Sequence, residues 1–260
     1  MDPHFARHIA ACNNAVLPGE RMPFLVGSEH VGWVKPALAL ALGDFTSVTH
    51  RDGGIVLAAD CASDLPVMAL SMVERGFGRR RGEEFDVRAR PEGPALTRID
   101  RGMLPSFGIL AIGVHVNGLV RRKDGLHVWI ARRAKNKLLD PGKLDHIVAG
   151  GVCAGMGILD TLVKEAGEEA CLPAALAEQA VETGRVNYAM ERDEGLRRDW
   201  LYCFDLDLPP DFVPRSGDGE VEAFELWPIE RAFAAVRDTN DFKFNVNLVL
   251  IDLFSRLGML

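Results

Sequence analysis

The sequence predicts an α+β fold divided between two domains, and three observations lead there. The chain has 260 residues, 48% of them hydrophobic, which is enough to bury two modest cores. Apolar residues alternate with period two in ILAIGVHVNGLVRR and LHVWIARRA, as in half-buried strands, whereas Ile158, Leu159, Leu162, Val163, Ala166 and Ala170 recur at three- and four-residue steps, as on one helical face. The texture changes near Leu104 to Gly108, so residues 1–104 read as a smaller α/β domain and residues 105–260 as a second.

Residues 1 to about 35 read as a helix, a Pro/Gly-punctuated turn (LPGERMP), the apolar run PFLVG and the short stretch VGWV, closed by Pro36. SVTH and GGIVLAA, split by Arg51-Asp52-Gly53-Gly54, predict a hairpin, and LPVMALSMVERGFG predicts a helix stopped by glycine. RRRGEEFDVRARPEG alternates in charge and reads as a solvated loop. After the two strands beyond Leu104, KNKLLDPGKLDHIV is a Pro-Gly loop with a short strand that leads into a glycine-rich loop and a helix. AALAEQAVE predicts another helix, ended by Gly184, and RVNYAMERDEG then pairs with RRDWLYCFDLDLP as two strands. DGEVEAFELWP predicts a strand, Ile229 to Val236 a helix, and FNVNLVLIDLFSRLG a buried closing helix ended by Gly258.

The chemistry concentrates between Ala149 and Pro173. Gly150, Gly151, Gly155 and Gly157 give the loop backbone freedom, and Glu165, Glu168 and Glu169 then stand at i, i+3 and i+4 on the following helix. Three carboxylates within about one turn repel and raise one another's pKa unless a cation offsets them, and a divalent ion taking hard oxygen ligands does so. A solvated acidic face is the plainer alternative, but the glycines ahead of the acids are hard to explain by packing alone. The loop lacks the Lys-Ser/Thr of a Walker motif and the glycine intervals of a dinucleotide fingerprint.

Counted from Gly150, five residues precede Met156, seven more follow, and Lys164-Glu165-Ala166-Gly167-Glu168-Glu169-Ala170-Cys171-Leu172 completes the pattern. This spacing resembles the Nudix box, from which Met156 (Glu in the pattern), Lys164 (Arg) and Cys171 (Gly) depart. The resemblance implies an αβα sandwich with a mixed sheet and magnesium-dependent hydrolysis of a small-molecule diphosphate, with manganese as the alternative ion. It places the metal ligands at Glu165, Glu168 and Glu169, catalysis at Glu169 and Glu165, and Lys164 as the orienting cation. Glu222, with Glu220 beside it, is a candidate fourth carboxylate. Arg132 and Arg133 are candidate clamps on the diphosphate, next to Gly150 and Gly151 on the substrate side. GVHVNGLV, WIARR, VAGGVCAG, KEAGEEACLP and RRDWLYCFDLDLP further resemble the Nudix branch that includes the amino-terminal half of fungal thiamine pyrophosphokinases and plant plastid hydrolases. That branch implies thiamine diphosphate or its oxidised forms as substrate. Nucleoside diphosphate derivatives are the alternative, and a metabolite-binding module without catalysis, or isomerase chemistry, would be the further departures. A homodimer is compatible with the family.

Other features bound the partners. A net charge of −7 argues against a nucleic-acid footprint. Five cysteines without a C-x-x-C pair argue against a disulfide framework or a structural zinc, and suggest a reducing cytoplasm. No eighteen-residue apolar run suggests a membrane span. His115, His127 and His146 lack ligand spacing and read as structural, and Trp33, Trp129 and Trp200 are candidate aromatic platforms.

Overall fold

A computed structural model describes residues 2–260. The chain opens with α1 (Pro3–Cys12), which starts behind Asp2: the Asp2 carboxylate accepts the His4 N–H at 2.8 Å, and Pro3 takes the first helical position. The smaller lobe follows, with β1 (Met22–Val26), β2 (Glu29–Val34), α2 (Pro36–Leu42), β3 (Val48–Arg51), β4 (Gly54–Leu57), α3 (Leu65–Glu74), β5 (Glu84–Val87), β6 (Thr97–Asp100) and α4 (Leu104–Phe107). Its sheet runs β2-β1-β4-β3, with β1 parallel to β4 and the other pairs antiparallel. The β3–β4 hairpin turns through Asp52 and Gly53, both at positive φ, which is what a two-residue turn matching the strand twist requires. Phe24, Ile55, Leu57, Leu65, Met68, Met72 and Phe107 pack the core of this lobe. β5 and β6 form a separate antiparallel ribbon.

The larger lobe comprises β7 (Leu110–Arg122), β8 (Gly125–Arg133), β9 (Leu144–Asp145), β10 (Val148–Gly151), α5 (Ile158–Ala170), α6 (Ala174–Ala177), β11 (Val181–Arg192), β12 (Gly195–Asp207), β13 (Val221–Pro228), α7 (Ile229–Asp238) and α8 (Phe244–Arg256). Its mixed sheet runs β11-β12-β7-β8-β13, with β10 also on β7 and β9 on β8. One edge of β7 pairs in parallel with β12 along its length. The opposite edge is shared: Gly113 to Val116 pair with β10, and Leu119 to Arg122 pair with β8. The sheet therefore forks beyond Val116, and the β10 branch delivers the glycine loop and α5 to one face. On that face Leu162, Ala166 and Ala170 of α5 pack on Val114, Val116 and Phe204. On the other, Phe5, Val246, Leu250 and Phe254 pack with Trp227. Helices on both faces of a mixed sheet make the αβα sandwich.

Three expectations are revised. The helix over AALAEQAVE stops at Ala177, because Val181 and Glu182 pair with Asp205 and Phe204 of β12 and Gly184 lies beside a β-bulge rather than at a helix end. The β-branched Val181 and Thr183 suit that strand. The charged segment read as a loop contributes β5. The amino-terminal helix belongs to the larger lobe, with the Phe5 ring 4.9 Å from that of Phe233 and 6.5 Å from that of Phe254.

Candidate active site

Of the side chains expected to hold a cation, Glu165 and Glu168 meet at the Lys164 ammonium, whereas Glu169 is buried between α5 and β10, and the three do not converge as a ready set of ligands. Gly150 makes the approach of Glu165 to β10 feasible. A methyl group on it would stand 2.3 Å from Glu165 Cγ and 2.5 Å from its Cδ, so only glycine lets the carboxylate lie against the strand. Gly151 does the same for the smaller lobe: a methyl there would meet Phe85 Cζ at 2.5 Å. Glu165 and Phe85 fill the space that a side chain on these two glycines would take.

Lys164 Nζ donates to Glu168 Oε2 at 2.6 Å and to Glu165 Oε1 at 3.0 Å, so an ammonium already bridges two of the three acids. Burial opposes charge on Lys164, but these two hydrogen bonds raise its pKa above the ordinary value. Glu169 is buried, and its Oε2 accepts the Ala149 N–H at 2.8 Å. Burial pushes its carboxyl up to about 8, with the charges of Asp145 and Glu165 adding to the shift against the Ala149 N–H. Glu165 is also raised, chiefly by burial, which outweighs the favourable Lys164 contact. Their residue types suit a hard divalent cation, and Glu165 and Glu168 already share a cationic group, but Glu169 would have to turn from the Ala149 N–H to join them on one ion.

α5 ends at Cys171, which adopts left-handed φ 49°, ψ 37°, with its N–H donating to the Ala166 carbonyl. This is the geometry for which helix termini prefer glycine.

A carboxylate that the sequence did not single out stands beside the trio. Glu83, just ahead of β5, accepts from Cys153 Sγ at 3.0 Å and from Arg101 NH1 at 2.7 Å. Burial works against its charge, yet Arg101, the Cys153 thiol and the Lys164 ammonium together hold it below the ordinary carboxylate value. The smaller lobe grips the loop elsewhere too: the Ala154 N–H donates to the Glu84 carbonyl at 2.8 Å and the Gly155 N–H to Asp86 Oδ2 at 3.2 Å. No short-range pattern in RRRGEEFDV announces this contact.

The other expected residues lie apart from the trio. Arg133 donates to Asp145 Oδ2 at 2.8 Å and to the Leu139 and Asp140 carbonyls at 2.9 and 3.2 Å. Its guanidinium is spent on the fold, which corrects its assignment as a phosphate clamp. Arg132 donates to the Gly142 carbonyl at 3.2 Å and approaches Glu225 at 3.9 Å. Glu222 sits at the β-bulge of β13, 3.9 Å from Lys135, and Glu220 pairs with Lys137; no contact joins either to the glutamates of α5. Trp129 is buried in the core, and Trp33 packs edge-on to His30 with ring centroids 4.5 Å apart.

The fork of the sheet holds a second polar cluster. His115 and His146 meet through their Nδ1 atoms at 2.9 Å, and with Asp145 they place candidate ligand atoms within 4.8 Å of one another. Asp145 faces Arg133 at 2.8 Å and Lys243 at 3.5 Å, which against its burial hold it well below the usual carboxylate range. Burial pushes His146 down to about 4 and lowers His115 as well, so both imidazoles are neutral, the state in which they could ligate, although Asp145 is already engaged by two cations.

Comparison with known proteins adds relatives along almost the whole chain. "Nudix hydrolase 24, chloroplastic" of Arabidopsis thaliana is 35% identical over 267 residues, covering 98% of this chain and 73% of its own length. "Nudix hydrolase 20, chloroplastic" of the same plant is 34% identical over 274 residues, with the same two coverages of 98% and 73%. An uncharacterised protein of Saccharomyces cerevisiae is 33% identical over 174 residues, 62% of this chain and 51% of its own. No family profile matches the chain. The two plant relatives overturn the expected cytoplasmic location: both are chloroplastic by name. Free cysteines indicate reducing surroundings, which do not single out the cytoplasm. Among the described residues no helix is long and apolar enough to cross a membrane.

Proposed function

The chain belongs to the Nudix hydrolases and acts on phosphoanhydrides, and on that premise we propose that it cleaves thiamine diphosphate, or an oxidised form of it, to the monophosphate with a magnesium ion held by Glu165, Glu168 and Glu169. The observation that carries the reading is the acidic helix α5: Glu165 and Glu168 share the Lys164 ammonium, and Glu169 beside them is buried with a raised pKa. When bound there, the ion would supply positive charge for the non-bridging oxygens and acidify the attacking water.

The residues of the chain do the rest. Glu169, anchored by the Ala149 N–H, fixes the inner ligand position, and Gly150 sets the depth of Glu165. Glu165 is the group we assign to receive the proton of the attacking water, because its carboxylate is partly exposed beside Lys164, whereas Glu169 is buried on the Ala149 N–H. Lys164 orients Glu165 and Glu168 as a point charge and lacks the planar fork of arginine. Glu83 takes the place expected of Glu222 as the fourth carboxylate near the trio. We assign the catalytic fold to residues 105–260 together with α1, and the intervening residues to the lobe that borders the glycine loop. Thiamine as the organic half is supported by the resemblance of GVHVNGLV, KEAGEEACLP and RRDWLYCFDLDLP to the thiamine-associated branch.

The test is chromatographic detection of monophosphate product from thiamine diphosphate, its oxidised forms and a panel of nucleoside diphosphate derivatives, with and without magnesium. Thiamine monophosphate that appears only with magnesium, and disappears in Glu169→Gln, is the expected result. Unchanged turnover in Glu169→Gln would refute the metal site, and turnover of nucleotides alone would refute the thiamine substrate.

A further inference from the structure

Between the β5–β6 ribbon and the glycine loop lies a cleft of about 350 Å³, walled by Asp86, Arg88, Leu96, Thr97 and Arg98 on one side and Gly155 on the other. Its volume lies at the lower end of what small-molecule sites occupy. The two lobes build it jointly, and the hydrogen bond from the Gly155 N–H to Asp86 fastens its edge.

The two arginines in the cleft differ in what they are committed to. Arg88 is fully engaged, donating to Asp86 Oδ2 at 2.7 Å and to the Gly93 carbonyl. Arg98 is not. The acids nearest to its guanidinium are Glu84 at 3.9 Å and Asp86 at 4.0 Å, both beyond hydrogen-bond reach, and its side chain is 57% exposed. A methyl on Gly155 would lie 3.8 Å from its NH2 atom, so the guanidinium faces the loop that leads into α5. A planar fork of donors without close partners, facing the glycine loop, has the geometry for two parallel hydrogen bonds to phosphate oxygens. Arg133, expected to do this, is buried in its own ion pair.

We infer that this cleft is the anion subsite of the enzyme and that Arg98, from the smaller lobe, grips the non-bridging oxygens of the substrate's diphosphate. The inference rests on the hydrolase reading above, and it gives the smaller lobe a share in substrate recognition.

The experiment titrates inorganic pyrophosphate calorimetrically into the full chain in chelator, where no metal contributes, for wild type, Arg98→Ala, Arg98→Lys and the exposed control Arg122→Ala. Steady-state kinetics on the best diphosphate run alongside. The expected result is about tenfold weaker pyrophosphate binding and about tenfold higher KM in Arg98→Ala, with kcat within about twofold, as for loss of a contact made equally in ground and transition states. Arg98→Lys should recover part of the loss and Arg122→Ala should match wild type. Pyrophosphate affinity and KM unchanged in Arg98→Ala, or a wild type that binds no pyrophosphate, would overturn the subsite while leaving the hydrolase reading intact. Pyrophosphate binding that depends on Arg98 in a protein that hydrolyses no diphosphate would support the subsite and sink that reading instead.

Discussion

Replacing Gly150 with alanine should cost catalysis far more than stability. The added methyl would stand 2.3 Å from Glu165 Cγ, 2.5 Å from Cδ and 2.8 Å from Oε2, all well inside ordinary contact distance. Glu165 must therefore swing away from β10, and its carboxylate must leave the position it shares with Glu168 and Lys164. Gly150 has no positive φ, so the backbone accepts alanine, and the loss of unfolded-state freedom returns roughly 0.5–1 kcal/mol against about 1–3 kcal/mol for the forced displacement. The net cost should be no more than about 2.5 kcal/mol. An ångström of misplacement in a reacting group costs about 100-fold in rate, so kcat should fall by about two orders of magnitude while the fold persists. Thermal melting and monophosphate release measure the two quantities separately. Gly167→Ala is the control, because on the same helix nothing lies within 4 Å of its added methyl; it should gain roughly 0.5–1 kcal/mol in stability with activity unchanged. A Gly150→Ala protein that keeps full kcat would show that the resting place of Glu165 is irrelevant to the reaction.

Three further outcomes are expected. Cys171→Gly should raise stability by roughly 1 kcal/mol, since it relieves a left-handed non-glycine residue at the end of α5; an unchanged melting curve would contradict this. Glu169 holds its proton more tightly folded than unfolded, so the stability it contributes is complete below about pH 4.5 and is lost as pH rises through about 8. In chelator the unfolding free energy should fall across that window by on the order of a few kcal/mol, read as a falling melting temperature; magnesium should offset the fall, and Glu169→Gln should flatten the profile. Phe5→Ala should cost about 3–5 kcal/mol, as for a buried ring, and a denaturant titration with near-native stability would show that α1 is dispensable.

Local pattern carried most of the larger lobe. The alternation in β7 and β8 and the three- and four-residue steps of α5 are properties of neighbouring residues, and the spacing of Glu165, Glu168 and Glu169 alone places them on one face. What was not legible depends on distant partners. Arg133 looked available until Asp145, twelve residues on, was seen to occupy it. Glu83 reaches Cys153 across seventy residues of chain, and the charged run around it is indistinguishable by composition from a solvated loop. Val181 to Gly184 follows a helical stretch in sequence, yet pairing with β12 decides its conformation. Phe5 is an ordinary apolar position in a short helix, and only the ring stack with Phe233 and Phe254 shows which core it serves.

The placement of α1 has a mechanical consequence. Because the first helix and β7 are both anchored in the larger lobe, the body from β1 to α4 is tethered at its two ends, like a guest inserted into a host, and the backbone passes between them twice. The Ala154–Glu84 and Gly155–Asp86 hydrogen bonds add a third attachment, which sets the wall carrying Arg98 against the glycine loop.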